Sequence, residues 1–568
     1  MVSEEYPDVR SSSEPQPPAS GVAAWFGSTP GASAPLRLWL TLLVFALALG
    51  LRLVHLSELQ GTAWADERPL INDSQYYDMR ASEIASGELI GAYPGFLSPV
   101  YCYVLGAVYS VTGSDLWTAK LFQIVFAALS IALVHRIARR IFCEAAAVVA
   151  AVLLAAHGPM IYYSALLLPA TLVFGLHALL VWVLLRGELT SRRALCAGAL
   201  VGLAIGAKAN ALLLLPVIGL WLFFQRGHKP ERSWIRPLVF LALGAVLTIT
   251  PITWRNYQTS GEFVLVTTTG GRNLLKGNGE DANGSHVALN QETIHIGHYL
   301  DGTVDIERAI AEDHELRDLA FEGMLAEPVR TLGLFGKKLL LLFNHMQLGI
   351  RDDFHFAQTQ TSLIAQPLPS FALIVSLGLV GLVLYLRESR GSRLLGWILL
   401  SQIASFVLVF VLARYRMVTL LVLAPFAGQA VAGFFSDLGG RRIPRALVAA
   451  LLMLPALWFV RLPIEGFEEP NPPGELHNFV ADWHFERGET QRAFSGYNKA
   501  SKTTWRIASL ADHWAVRARI ADCYDEMGRR QKAVLVRETL LAEVEAQYPF
   551  KENALKQELL QKLGRKQP

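Results

Sequence analysis

Apolar runs of about the length needed to cross a bilayer recur through most of this chain, and they restrict it to one broad kind of fold. A hydrocarbon core takes roughly 20 apolar residues per helix, with ~17–25 as the working range. Candidate runs are Leu36–Leu56, Trp117–Ala138, Ala145–Tyr163, Ser164–Leu185, Ala194–Ala207, Ala209–Phe224, Pro237–Ile252, Ser370–Leu386, Arg393–Leu412, Arg416–Phe435 and Ala446–Val460. With no water in the bilayer core, every spanning backbone must bond to itself, so these runs predict helices. Only 17% of the 568 residues are charged, against about 25% in soluble globular domains. The expected fold is an all-α polytopic membrane protein with a bundle of about eleven helices. A formal charge of +3 is too small to imply a nucleic-acid partner.

Residues 1–34, rich in Ser, Pro, Ala and Gly, predict a disordered tail. Leu36–Leu56 lies too far from the start for a cleaved signal and reads as an uncleaved first helix. The four cysteines, Cys102, Cys143, Cys196 and Cys523, lack metal-ligand spacing and read as small core residues. Ser98–Thr112 follows Pro94 and Pro99 and is rich in Tyr, as an interfacial helix would be. Orientation comes from five basic clusters: Arg136/Arg139/Arg140, Arg186/Arg192/Arg193, Arg226/His228/Lys229/Arg232/Arg236, Arg387/Arg390/Arg393 and Arg441/Arg442/Arg445. Threaded through the runs above, all five fall on the side of the N-terminus. Basic loops stay cytoplasmic, so an inner (plasma) membrane protein would expose two outer loops, 57–116 and 254–369, and everything after Arg461.

These loops bracket an expected transmembrane domain over 35–464. In the second loop Gly261–Thr269 reads as strand, followed by Gly270-Gly271 and Gly277-Asn278-Gly279 turns. Glu307–Phe321 reads as a polar helix, and Thr331–Phe343, apolar but carrying Lys337 and Lys338, as a helix in the outer interface. A separate extracytoplasmic domain is expected over 465–568, with Pro470, Pro472, Pro473 and Gly474 marking the linker. Within it Gly488, Ala493, Tyr497 and Ala500 recur as Gly528, Ala533, Arg537 and Leu540 with the same internal spacing. Small residues at such places let paired helices approach, which predicts a tetratricopeptide-like helical repeat able to bind a protein partner. Chance helical hairpins are the alternative.

The candidate chemistry sits in the polar segment Ser57–Gly95, where Asp66, Glu67, Asp73, Asp78 and Glu83 meet the membrane surface. A carboxylate there can serve as general base toward a substrate whose other half is a lipid. Asp73 falls where a helix begins and could equally be an N-cap; Ile84, Ala85 and Met79 would then face the membrane. Asp66 and Glu67 could equally form a solvated acidic turn beside Arg68. Lys208 interrupts two apolar runs, and Arg255, Arg414 and Arg416 stand at the outer ends of others. A charge at the bilayer centre costs about 2.5–3.5 kcal/mol on insertion scales, although snorkelling at the surface reduces that. Arginine forks suit phosphate. Each cation alone reads as an interface anchor, and convergence of several would be the functional sign.

The run Asp73-x-x-x-Tyr77 with Gly87, then Phe96-x-x-Pro99-x-Tyr101-x-Tyr103 and Gly113, resembles the first outer loop of GT-C membrane glycosyltransferases, in particular the protein O-mannosyltransferase and aminoarabinose-transferase group. Pro251-x-x-x-Arg255-Asn256-Tyr257, Gly261-x-Phe263-Val264, Gly270-Gly271-x-Asn273-Leu274 and Gly277-Asn278 resemble a segment of bacterial members, and Ala413-Arg414-Tyr415-Arg416 their late arginine motif. The resemblance covers about Leu36–Phe435. It implies an inverting transfer of a sugar from a polyprenyl-phosphate donor to a glycan, lipid or protein acceptor, with an aspartate matching Asp73 as general base. Asp66 and Glu67 stand behind it as alternative catalytic carboxylates. Lys208, Arg255, Arg414 and Arg416 would hold the donor phosphate, and Tyr76, Tyr77, Asn256 and Asn278 would line the substrate pocket. With fixed cations in these places, no cofactor is expected and a divalent metal is not required. Two departures stand out. Ser98 replaces a lysine of the aminoarabinose transferases, and Gln75-Tyr76 stands where they tend to have an arginine. Two other readings compete: an inactive scaffold of the same fold, and a transporter of polyprenyl-linked intermediates, which would place more ionisable residues at mid-membrane.

Overall fold

Helices follow the apolar runs throughout the computed structural model, which describes residues 34–225, 234–287, 289, 293–467, 473–503, 510–547 and 554–564. Nearly all of the expected disordered tail lies outside the described residues, as do Arg226, His228, Lys229, Arg232, Pro470 and Pro472. The chain enters through α1 (Ala34–Leu59) and a first loop holding α2 (Asn72–Ala85) and α3 (Pro99–Thr112). It then folds through α4 (Leu116–Ile141), α5 (Glu144–Ala155), α6 (Gly158–Ser164), α7 (Ala170–Leu185), α8 (Ser191–Ala207), α9 (Leu214–Phe224) and α10 (Ile235–Ser260). The second loop carries α11 (Gly270–Asn278), α12 (Ile306–Ala326) and α13 (Pro328–Phe343). The bundle is completed by α14 (Phe371–Tyr385), α15 (Arg390–Leu408), α16 (Ala413–Arg416), α17 (Leu420–Gly439) and α18 (Ile443–Phe459).

Among the described residues, five helices are long and apolar enough to cross a membrane: α1, α4, α10, α15 and the stretch Ala413–Gly439. The α5–α6 pair makes a sixth if counted as one bent span, and five shorter apolar helices accompany them. Spanning helices gain little from hydrophobicity when they meet in lipid, so small residues that allow close approach hold them together. The α8–α10 pair shows this. A Cβ on Gly198 would lie 2.0 Å from the Leu241 carbonyl oxygen, and one on Gly244 would lie 2.2 Å from that of Leu195.

Three expected elements differ from the sequence reading. The run Ala145–Tyr163 is not one helix: it bends by 58° between α5 and α6. The bend falls at His157-Gly158-Pro159, where the proline has no amide hydrogen to continue the ladder. Helix α7 likewise starts at Ala170, behind Pro169, and not at Ser164. Gly261–Thr269 forms no strand. The extended segment is instead held by one side chain: the Asn256 amide donates to the Val264 and Val266 carbonyls, 3.0 Å each, and accepts from the Gly95 N–H at 2.9 Å. Glu307–Phe321 and Thr331–Phe343 fall within α12 and α13 as expected.

The tail is helical: α19 (Gly474–Glu486), α20 (Thr490–Ala500), α21 (Leu510–Glu526), α22 (Arg530–Gln547) and α23 (Ala554–Lys562). Gly488 and Gly528 both take positive φ, 72° and 73°, where one helix turns back on the next. Ala493 and Ala533 are fully buried. The matched pair Tyr497 and Arg537 also behave alike, each bonding an aspartate of the preceding helix: Asp482 at 2.7 Å, and Asp522 at 2.8 Å. Helix α19 packs on the first loop, with the Phe479 and Trp64 rings 5.8 Å apart. All four cysteines are free thiols; Cys102 and Cys523 are buried as expected, whereas Cys196 is exposed on α8.

Candidate active site

Asp73 lies in the first turn of α2 but does not cap it. The cap position belongs to Ile71, with no side-chain bond, so the capping role considered for Asp73 is not the one it has. Its carboxylate is one-third exposed and meets Arg414 Nη2 at 2.9 Å. The face of α2 carrying Ile84 packs on α3, with Ile84 filling the space above Gly106. One turn after Asp73, Tyr77 is buried and donates to Ser98 Oγ at 3.2 Å. Burial, with the Asp73 charge adding to it, holds this phenol well above its ordinary pKa, so it is a hydrogen-bond donor throughout the working pH range. Ser98 itself sits at φ 28°, ψ 68° immediately before Pro99, a sparsely populated conformation for a residue with a Cβ.

Arg414 is delivered by the break between two candidate spans, α15 and the stretch Ala413–Gly439. Helix α15 stops at Leu408, and its last carbonyls need donors that lipid cannot supply. The second loop provides them. Lys338 Nζ donates to the Val407 carbonyl at 3.0 Å and to Asn278 Oδ1 at 2.7 Å, Asn278 Nδ2 donates to the Leu408 carbonyl at 2.9 Å, and Ser285 Oγ to that of Val411 at 3.0 Å. The approach is close enough that a Cβ on Gly277 would lie 1.9 Å from the Val409 oxygen. Beyond the break α16 presents Arg414 and Tyr415. Arg414, 6% exposed, binds Asp73 with one amino group and Asp352, 1% exposed, with the other at 3.1 Å. Lys208, which ends α8, stands over the Tyr415 ring, 3.4 Å from its centroid.

Lys208, Arg414 and Tyr415 open onto a cleft between α7, α9 and α15 whose remaining wall includes Val173, Leu214, Phe406 and Val418. The same wall also carries His177, Asn210, Ser401, Gln402 and Ser405, so two cations and a phenol stand beside a lining of mixed apolar and polar side chains. His286 faces Arg414 and, from the second loop, Lys276: burial, then these two charges, push its pKa down to about 3, leaving it neutral.

The other expected site residues are placed differently. Arg255 and Arg416 do not face this cleft. Arg255 donates to the Ile90 carbonyl at 2.6 Å and the Tyr93 carbonyl at 2.8 Å, which fastens the first loop to α10. Arg416 is sealed by the Leu341, Asn344 and Met346 carbonyls and stacks over Phe371. Asn256 and Asn278 hold backbone, as described above. Tyr76 is buried in an aromatic cluster with Phe96 and Tyr299. Glu67 is fully buried, bonded to Lys120 and to the Leu167 N–H at 2.8 Å in the chain between α6 and α7. Asp66 is a partly exposed partner of Arg68, which also bonds Asp78 at 2.7 Å. Partial burial would raise the Asp66 carboxyl, but the Arg68 hydrogen bonds and charge outweigh it and hold it below the usual range.

Asp352, Tyr415 and the supporting Lys338 were not among the expected site residues. Lys338 carried a signal, a charge in an apolar helix. Asp352, in the polar run Arg351-Asp352-Asp353, carried none, because only the folded chain brings it to Arg414.

Comparison with known proteins agrees with the resemblance seen in the sequence. Residues 96–254, less than a third of the chain, match the sequence model for dolichyl-phosphate-mannose-protein mannosyltransferases. No curated protein matches the chain. Among solved structures, the chain is similar to the oligosaccharyltransferase AglB from Archaeoglobus fulgidus in complex with an inhibitory peptide and a dolichol-phosphate, at 14% identity over 81% of this chain and 59% of that one, with a TM-score of 0.43. It is also similar to ArnT from Cupriavidus metallidurans bound to undecaprenyl phosphate, at 13% identity over 94% and 84%, with a TM-score of 0.41. The chain thus spans about three-fifths of the length of the archaeal enzyme.

Proposed function

We propose that this protein is an integral membrane glycosyltransferase that moves a sugar from a polyprenyl-phosphate donor to an extracytoplasmic acceptor, with inversion. The observation that carries the reading is the Asp73–Arg414 pair at a cleft that also holds Lys208. A base and two phosphate-binding cations are groups such a reaction uses, and the family match over residues 96–254 points the same way.

In the step we envisage, an acceptor hydroxyl attacks the anomeric carbon while Asp73 takes its proton. The new oxygen–carbon bond forms as the carbon–oxygen bond to phosphate breaks, and the electron pair leaves on the polyprenyl phosphate. One negative charge disappears at Asp73 as one appears on the phosphate. Lys208 and Arg414 stabilise that developing charge in a poorly hydrated cleft, where fixed cations gain strength; with them in place the step does not require a divalent metal. Arg255, Arg416, Asn256 and Asn278 act at one remove by holding the backbone that shapes the site. Five arginine-bearing turns support a cytoplasmic N-terminus in the inner (plasma) membrane, which leaves the site and the helical tail outside. There the tail, read as a tetratricopeptide-like pair of hairpins, would engage an acceptor or protein partner.

The test is transfer by purified full-length protein from a panel of polyprenyl-phosphate sugars. Asp73→Asn should lower turnover by about 10²–10⁴-fold with the thermal midpoint unchanged. Undiminished turnover in that variant would remove Asp73 as the base.

A further inference from the structure

Arg414 is shared between two carboxylates of unlike character. Asp73 is one-third exposed and makes one bond to it; Asp352 is 1% exposed and built in. Asp352 Oδ1 accepts the Ile350 N–H at 3.0 Å, and its carbonyl accepts the Tyr163 hydroxyl at 3.2 Å. One partner of Arg414 is therefore fixed, and the other faces the place where substrate must arrive. Resting on the transfer reading above, the geometry points to Asp352 as a positioning residue: it anchors the Arg414 guanidinium and neutralises most of its charge, so that Asp73 is free to exchange its share of Arg414 for the leaving phosphate.

The physical argument runs through charge. Were Arg414 paired with Asp73 alone, the whole of its charge would be held by the general base, and the leaving phosphate would have to displace an undivided ion pair. A second, buried carboxylate on the far amino group repels the charge on Asp73 and weakens that grip. As Asp73 accepts its proton, its bond to Arg414 weakens and the guanidinium edge turns to the phosphate without leaving Asp352. Other titratable or charged groups face this centre: Tyr77 on α2, Lys208, Tyr415, Tyr163 and Asp353, and Lys276 and His286 from the second loop. Of these, Tyr415 also touches Arg414, its hydroxyl accepting from Nη2 at 3.5 Å, but it is a phenol and not a second carboxylate.

Asp352→Asn in full-length protein in lipid nanodiscs tests this with two readouts. In the pH profile of kcat/KM, the acid limb assigned to Asp73 should move to lower pH, by on the order of one unit, with a lower plateau. A fall in rate with the limb unmoved would overturn the proposal. In direct binding, undecaprenyl phosphate should be held several-fold more weakly by the variant, because Arg414 has lost its anchor and Asp73 keeps its share of the guanidinium; equal or tighter binding would overturn the proposal. The binding arm decides the matter even if the wild-type protein transfers no sugar, an outcome that sinks the transfer reading and not this one. Should Asp352→Asn not fold, Tyr163→Phe, which removes only the hydroxyl on the Asp352 carbonyl, should shift the limb in the same direction by less. An unmoved limb there would count against the proposal.

Discussion

Two arginines separated by one tyrosine make opposite uses of the same chemistry. Arg416 spends its guanidinium on three backbone carbonyls and an aromatic face, in a sealed region that also holds Lys338 and Asn278. Arg414 spends its own on two carboxylates at the edge of a cleft. Carbonyls are permanent partners that no substrate displaces. A partly exposed carboxylate is an exchangeable one, and exchange is what a phosphate-binding site requires. Identity and position in the sequence do not separate the two roles, but the nature of the partner does.

The comparison breaks most readily by substitution at each arginine. Arg416→Met should leave the buried Asn344 and Met346 carbonyls without the arginine donor at about 1–3 kcal/mol apiece, while the Leu341 carbonyl keeps the Asn344 N–H; the loss is enough to drop the thermal midpoint sharply or abolish folded yield. Turnover should then fall only in proportion to the folded fraction. Arg414→Ala should lower turnover by about 10²–10³-fold, in the range seen when one transition-state charge donor is removed, a loss out of proportion to the folded fraction, although the midpoint also falls because Asp352 is left buried without its cation. Matching profiles of stability and activity in the two variants would erase the distinction.

Lys338 sharpens it from the sealed side. Burial pushes its pKa down to about 7, below the ordinary lysine value of about 10.4. Between these values the unfolded chain binds more protons than the folded one, so stability should rise as pH increases from about 7 toward 10. The burial cost is present in full below about pH 7 and relieved above it. The neutral amine still donates to Asn278 and Val407. Thermal midpoints across that window should climb in the wild-type protein and flatten in Lys338→Met; parallel curves would place the lysine charge elsewhere.

Much of the fold was legible because membrane helices declare themselves by length and apolarity alone. The errors fell where backbone leaves that pattern. Pro159 and Pro169 split runs that composition alone joined, and Asn256 supplies from a side chain the bonds that a strand would take from a neighbour. The site was legible in part: Asp73, Lys208 and Arg414 were expected and stand together, while Arg255, Arg416, Asn256 and Asn278 share their motifs but hold backbone. A motif records which residues a site needs, without saying which of them touch substrate. Asp352 was invisible because its meaning depends on a long-range contact.

The smallest expected effect concerns Asp66, the carboxylate that would replace Asp73 if the assignment of the base were wrong. It is engaged by Arg68 through both oxygens, at 2.6 and 2.7 Å, and at 43% side-chain exposure it is screened by water. Exposed pairs of this kind contribute about 0–1 kcal/mol. Arg68 keeps a second bond to Asp78, itself held by Tyr109 at 2.6 Å, so loss of Asp66 leaves the arginine placed. Because the folded carboxyl lies below its ordinary value, its modest stabilisation is present above about pH 4 and fades as pH falls. Asp66→Asn should therefore keep turnover within about two- to three-fold of wild type and lower the midpoint slightly at neutral pH. A loss as deep as that expected for Asp73→Asn would mean that the proton leaves through the Arg68 network and that Asp73 only holds Arg414 in place.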